Sequence, residues 1–302
     1  MKVSVRQRGG KFMAQEAGKK RERKHKVKKG LSWFGMGIFY FILYVPIVIM
    51  VIYSFNEQKQ NMIWTGFTTQ WYFQLLQDQE LLKIVTNTLI VSVVSTILST
   101  IIGTMAAYGI TRYKFKGKSI LMNILYIPIV IPEIVMGVSL LMIFMLINFP
   151  LGLVSMILAH VTFSAPFVVI TVRGRIGDMG VVEEEASMDL GANRRTTFFK
   201  VTLPMMMPAI ISGAFMAFTL SFDDLVVSTF VSGANSTTLP IKVQSMMKTG
   251  VTPEINALST IIFAILITLC LLGKLAGWLM KKRSDKLEAE ALAALAVPGD
   301  AE

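Results

Sequence analysis

Three carboxylates stand where carboxylates are rare. Glu133, Asp223 and Asp224 fall in or beside long apolar runs of this 302-residue chain, and an acid near the centre of a bilayer costs about 2.5–3.5 kcal/mol or more. No Lys or Arg lies inside the same runs to offset them. Phe215, Phe218, Phe222 and Phe230 accompany the Asp pair, and aromatic faces hold ammonium groups by cation–π attraction. Unpaired acids beside aromatic rings suit a long, flexible polycation, so Glu133, Asp223, Asp224 and Phe222 are the candidate residues of a cation pathway. The plainer readings are that the Asp pair caps a helix end or faces outer water, and that Glu133 bonds backbone amides freed by nearby prolines. His160 reads as a hydrogen-bonded packing residue rather than a proton relay. Cys270 is the one cysteine, which excludes a disulfide within the chain and a thiol metal cluster. Gly117, Lys118 and Ser119 echo the end of a phosphate-binding loop, but the glycine required upstream falls at Arg112 and no strand–loop–helix context surrounds it. The chain is therefore not expected to be an enzyme, and no cofactor is expected on it.

A second set of residues suits mechanical rather than chemical work. Between Val181 and Pro204, Glu183, Glu184 and Glu185 suit the positive end of a short helix. Ala186 and Ser187 give that helix a low-relief surface. Gly191 can take the left-handed conformation that ends it, and Asn193 is a good N-cap for a second helix through Arg194–Val201. Pro204 fits near the start of the next apolar run. A small, smooth knob on a rigid lever fits a groove on another protein and can pass that protein's motion onward.

The elements that must carry these residues are transmembrane. The chain is 53% hydrophobic and 16% charged, with a mean hydropathy of +0.59, whereas soluble domains carry about a quarter charged residues. Apolar runs at Trp33–Phe55, Ile84–Ile110, Ser119–Ile147, Leu151–Val172, Met205–Val231 and Ala257–Met280 are each long enough for a bilayer core of about 30 Å, and must be helical there to satisfy their own backbone. Pro128 and Pro132 predict a kink or partial unwinding of the third. The fold class is thus all-α integral membrane with six transmembrane helices. The organisation is a basic segment 1–30, a transmembrane domain 31–283 containing the loop 173–204, and a tail 284–302.

Charge orients these spans. Residues 1–30 hold twelve Lys and Arg against Glu16 and Glu22, or 12 − 2 = +10 of the net +11. This is a solvated anchor on an anionic leaflet, where each Lys or Arg contributes roughly 1 kcal/mol, rather than a nucleic-acid site. Arg112, Lys114, Lys116 and Lys118, then Arg173, Arg175, Arg194, Arg195 and Lys200, then Lys281, Lys282, Arg283 and Lys286 crowd alternate loops. The opposite loops hold only Lys59, Lys83, Lys242 and Lys248. The positive-inside rule places both termini and the 173–204 loop in the cytoplasm.

The 173–204 segment resembles the EAA loop of binding-protein-dependent ABC importer permeases. That pattern is Glu-Ala-Ala, three residues, Gly, nine residues, Ile, one residue, Leu-Pro. Glu185, Ala186, Gly191, Leu203 and Pro204 match it in spacing, while Ser187 replaces the second Ala and Val201 the Ile. The resemblance extends from about Ile84 to Trp278. It is nearest to spermidine/putrescine permeases, in the stretches PEIVMG (132–137), TLSFDDL (219–225), STTLP (236–240) and PEINALS (253–259). It implies a type I ABC importer permease of the bacterial cytoplasmic (inner) membrane, with Glu185, Ala186, Ser187, Gly191, Leu203 and Pro204 coupling it to an ATPase. It further implies a heterodimer with a second homologous permease, two ATPase subunits that hold the ATP and Mg, and an extracytoplasmic polyamine-binding protein. An ABC permease for another solute is one alternative. An ion-coupled secondary transporter using Glu133 and the Asp pair is the other, but it leaves the Gly-turn elbow unexplained and no inverted repeat supports it.

Overall fold

A computed structural model describes residues 33–58, 63–247 and 252–295. Basic segment 1–30 lies outside the described residues, as do Lys59, Lys248 and tail residues 296–302. Apart from one isolated bridge between Asn56 and Phe67, all regular structure among the described residues is helical. The chain forms two compact units, one from the described residues of Met1–Phe73 and Thr252–Glu302, the other from those of Gln74–Val251.

The first unit contains α1 (Trp33–Tyr53), the start of α2 (Gln70–Gln77) and α12 (Pro253–Leu295). None of the apolar window of α1 is buried, as expected of a surface meant for lipid or another chain. Asn56 organises the turn after α1. Its side chain donates to Ile63 O (2.9 Å) and accepts from Thr65 N (2.9 Å), and its carbonyl accepts from Trp71 Nε1 (2.6 Å). Helix α12 has 43 residues, about 65 Å at 1.5 Å per residue, so its last third continues past its apolar window, Pro253–Leu275.

The second unit is built on α3 (Gln79–Arg112), α6 (Leu153–Asp178) and α9 (Leu203–Phe222), which pack on one another. Small residues permit the close approach. A Cβ added to Gly103 would stand 2.6 Å from Val168 Cβ, and one on Gly213 would stand 3.3 Å from Val168 Cγ1. One valine of α6 thus fills both notches, the small-residue packing that membrane helices use in place of hydrophobic drive. Ala107, Ile110, Val169, Val172, Ile176 and Met206 complete the core around it.

The third predicted span is broken rather than kinked. Helices α4 (Lys118–Val130) and α5 (Glu133–Leu146) meet at 110°. Pro128 is accommodated inside α4, and the break falls at Ile131–Pro132, because the residue before a proline is driven to extended geometry. The fifth span also ends earlier than expected. It stops at Phe222, residues 223–225 turn, and Val226–Val231 form a separate short helix, α10, packed on α5. Among the described residues, five helices are long and apolar enough to cross a membrane, six when the bent pair counts as one span.

Candidate functional site

The elbow between α6 and α9 is a helix–turn–helix. Helix α7 covers Val182–Asp189 with Glu183, Glu184 and Glu185 in its first turn, where the helix dipole favours negative charge. It ends in paired reverse bonds, Ala192 N to Ser187 O at 3.1 Å and Gly191 N to Met188 O at 2.9 Å, a Schellman closure. Gly191 sits at φ +89°, where a Cβ is disfavoured. Asn193 Oδ1 accepts from Thr196 N at 2.9 Å and caps α8 (Arg194–Thr197). A π turn, Phe198–Thr202, then leads straight into α9, with Pro204 in its first turn. The second short helix and the fifth span are therefore one continuous 29-residue lever, Arg194–Phe222.

The elbow is two-faced. Glu185, Ala186, Leu190 and Gly191 are exposed. Ser187, expected on the same smooth surface, turns inward to Thr197 Oγ1 at 3.2 Å. Glu184 also faces inward and meets Arg112 of α3 at 2.9 Å. A cavity of about 280 Å³ lies behind the elbow, bounded among others by Tyr108, Arg112, Glu185 and Arg194.

The three acids of the apolar runs come together. Glu133, Asp223 and Asp224 all line one cavity of about 450 Å³, walled by Pro128, Pro132, Phe163, Phe167 and Leu220. The breaks in two spans create it: α5 begins at Glu133, and α9 ends just before Asp223. The acids are not equivalent. The side chains of Glu133 and Asp223 are exposed and make no hydrogen bond or ion pair among the described residues. Asp224 is 9% exposed and fully engaged. It accepts from Val227 N (3.3 Å) and Ser228 N (2.7 Å), the amides that the start of α10 leaves open. It also meets His160 Nε2 at 3.3 Å. His160, 1% exposed, contacts Ser221 Oγ (2.6 Å) and Ser228 Oγ (3.0 Å), and Ser221 reaches Ser95 Oγ (2.8 Å). The expectation that no Lys or Arg of its own span pairs with Asp224 holds, and the side chain beside it is His160 of α6.

The aromatic wall also differs from the expected one. Phe222 lies outside this cavity. It stacks on Phe218 at 5.5 Å and lines, with Asp223, a neighbouring apolar groove of about 720 Å³ completed by Leu239, Pro240, Val243 and Met247. Phe215 is exposed, and Phe230 packs against Gly137. The rings at the acids are Phe163 and Phe167 of α6, which sequence reasoning missed. Their i,i+4 spacing puts them on one face, but only the packed bundle shows which way that face points.

A bundle of apolar helices with broken spans, a charged cavity and a helical elbow is the architecture of a multi-pass membrane protein. The chain belongs to the binding-protein-dependent transport system inner membrane component family, whose profile matches residues 99–284. It is 41% identical over 240 residues to the spermidine/putrescine transport system permease protein PotC of Escherichia coli (strain K12), covering 80% of this chain and 91% of that protein. It is 40% identical over 251 residues to the putrescine transport system permease protein PotI of the same organism, covering 81% and 88%. Its fold matches a chain of a bacterial ABC transporter involved in the import of the acidic polysaccharide alginate, with a TM-score of 0.66 at 15% identity, over 83% of this chain and 97% of that one.

Proposed function

We propose that this chain is the permease subunit of an ATP-driven importer that moves polyamines, spermidine or putrescine, across the cytoplasmic membrane. The observation that carries the reading is the cavity in which Glu133 and Asp223 present two free carboxylates between apolar walls and two phenylalanine rings. An ammonium group entering it exchanges water for carboxylate and ring faces, contacts worth about 0.5–2 kcal/mol each for the rings. Two separate carboxylates suit a ligand with charges spaced along a chain, and several weak sites allow release as well as entry. Asp224, held by His160 and α10, shapes the cavity floor and adds negative potential. Phe222 lines the adjoining groove on the same path. The names of PotC and PotI state the same substrate class.

The work comes from elsewhere. A second homologous permease completes the pathway, an extracytoplasmic polyamine-binding protein delivers the substrate, and two ATPase subunits bind ATP and Mg. The elbow within 173–204 docks one ATPase through Glu185, Ala186, Ser187 and Gly191, and Leu203 and Pro204 pass its motion into α9. Both termini are cytoplasmic. Segment 1–30 lies on the inner leaflet, residues 31–283 form the permease domain, and 284–302 form a cytoplasmic tail.

The test is polyamine uptake by Asp223→Asn and Glu133→Gln in the assembled transporter. Each is expected to lower uptake roughly tenfold, equivalent to about 1.4 kcal/mol, with the ATPase still bound. Parental uptake in both would remove the carboxylates from the pathway, and transport of a neutral or anionic solute instead would replace the substrate class.

A further inference from the structure

We propose that Arg112 and Glu184 form a strut through which the elbow drives α3 as well as α9, making both positioning residues of the coupling step; this rests on the elbow being the ATPase dock.

Glu184 Oε1 is a junction. It accepts from Arg112 Nε (3.1 Å), Arg112 Nη2 (2.9 Å) and Thr202 Oγ1 (3.2 Å). Arg112 Nη2 also donates to Gly180 O at 2.9 Å. The four residues come from four places: the last residue of α3, the first turn of α7, the π turn at the foot of α9, and the link between α6 and α7. The two charged side chains are 13% and 14% exposed, so little water stands between them to weaken the attraction. Thr202 is fully buried.

The connectivity gives this junction its consequence. The elbow is joined to α6 and α9 by the chain itself, but α3 precedes it by some seventy residues of sequence. Among the described residues, no other ion pair or side-chain hydrogen bond ties α7 to α3. A displacement of α7 therefore reaches α3 directly through Glu184, beside the indirect route through the packing of α6 and α9 on α3. At its far end α3 is bonded again. Asn87 Nδ2 donates to Asn235 O (3.3 Å) and Thr237 O (3.1 Å), and Thr88 Oγ1 accepts from Leu239 N (2.8 Å). From Thr88 to Arg112 is 24 residues, about 36 Å of helix. Leu239 begins α11 (Leu239–Met247), one wall of the groove beside Asp223. The strut thus makes α3 a rod from the elbow to that wall.

The test uses the whole transporter in proteoliposomes, with spermidine as probe. It reads ATPase bound, ATP hydrolysed and spermidine taken up per ATP. Glu184→Gln and Arg112→Gln are expected to keep ATPase and hydrolysis while uptake per ATP falls about fivefold or more, the lower end of ordinary coupling between sites. The charge swap, Arg112→Glu with Glu184→Arg, is expected to restore part of the loss by re-forming the pair, whereas a merely structural role would lower bound ATPase and hydrolysis along with uptake and leave uptake per ATP unchanged. Should Glu184→Gln fail to reach the membrane, Arg112→Lys carries the same test, because an ammonium keeps the charge but cannot form the fork. Parental uptake per ATP in the single variants, or a loss that the swap does not reduce, overturns the strut. Ala186→Trp tests the underlying reading separately. It is expected to lose the ATPase, and normal ATPase binding and uptake there would overturn the dock instead.

Discussion

Asp223 and Asp224 are neighbours in the chain with opposite situations. Asp223 ends α9 with an exposed, unpartnered carboxylate. Asp224 is buried against His160 and the first amides of α10. Their variants should therefore differ in kind. Asp224→Ala leaves the Val227 and Ser228 amides without their acceptor and takes one of three partners from His160, at a cost of about 1–3 kcal/mol per unsatisfied buried group. Asp223→Ala removes no bond, and its effect on stability is expected to stay within about 0.5 kcal/mol. Thermal unfolding of the two variants in detergent checks this: a clear fall in the midpoint for Asp224→Ala only, against a loss of uptake for Asp223→Ala without such a fall. Equal midpoints would contradict the assignment of Asp224 as the bonded member of the pair.

At the scale of elements, the decisive fact is how closely α3, α6 and α9 approach. Gly103 has no room for a side chain beside Val168, whereas a Cβ on Gly109, six residues along the same helix, would meet nothing within 4 Å. Gly103→Ala is expected to destabilise the bundle by about 1–3 kcal/mol through overpacking. Gly109→Ala should be neutral or slightly stabilising, since alanine is the better helix former. Adding Val168→Ala to Gly103→Ala should recover only part of the loss, because alanine removes the Cγ1 contact at 2.8 Å but keeps the Cβ at 2.6 Å. Unfolding midpoints of the three variants decide it, and a Gly103→Ala midpoint equal to the parent's would contradict the close approach at Val168. The lever Arg194–Phe222 and the broken pair α4–α5 follow the same logic. Continuous helix transmits displacement, and a break collects irregular backbone where a cavity can receive it.

For the whole molecule, the charged elbow marks one face. Arg112 bonds to the elbow itself, and Arg194 joins it around one cavity. On the positive-inside rule we propose that this end is cytoplasmic. In a Cys270→Ser background, a cysteine replacing exposed Ala234 should react with an impermeant maleimide from outside, and one replacing exposed Lys116 should not. The reverse labelling would invert the topology. The exposed apolar residues of α1 and of α5, among them Phe41, Ile42, Met142 and Leu146, are the kind of surface a membrane protein offers to lipid.

Much of this was legible in the sequence because it depends on local rules. Apolar length sets the spans, and Glu183–Glu185, Gly191 and Asn193 specify a helix, a left-handed stop and a new start that the backbone then adopts. Each is decided within a few residues by dipole, φ preference or capping. What depends on facing was not legible. Asp224 and His160 are 64 positions apart in sequence, Arg112 and Glu184 are 72 apart, and no periodicity states that α6 turns Phe163 and Phe167 toward the acids while Phe222 turns away. The length of α4 before its 110° turn, and the end of α9 at Phe222, were equally hidden. Proline and acid positions say where a helix can stop, but the packing of α10 on α5 and the capture of Asp224 by α6 decide where it does. Sequence determined a membrane permease with a helical elbow between two of its spans. Tertiary structure decided which acids stay free to meet a ligand, because only packing brings distant side chains near enough to satisfy one carboxylate and leave its neighbour open.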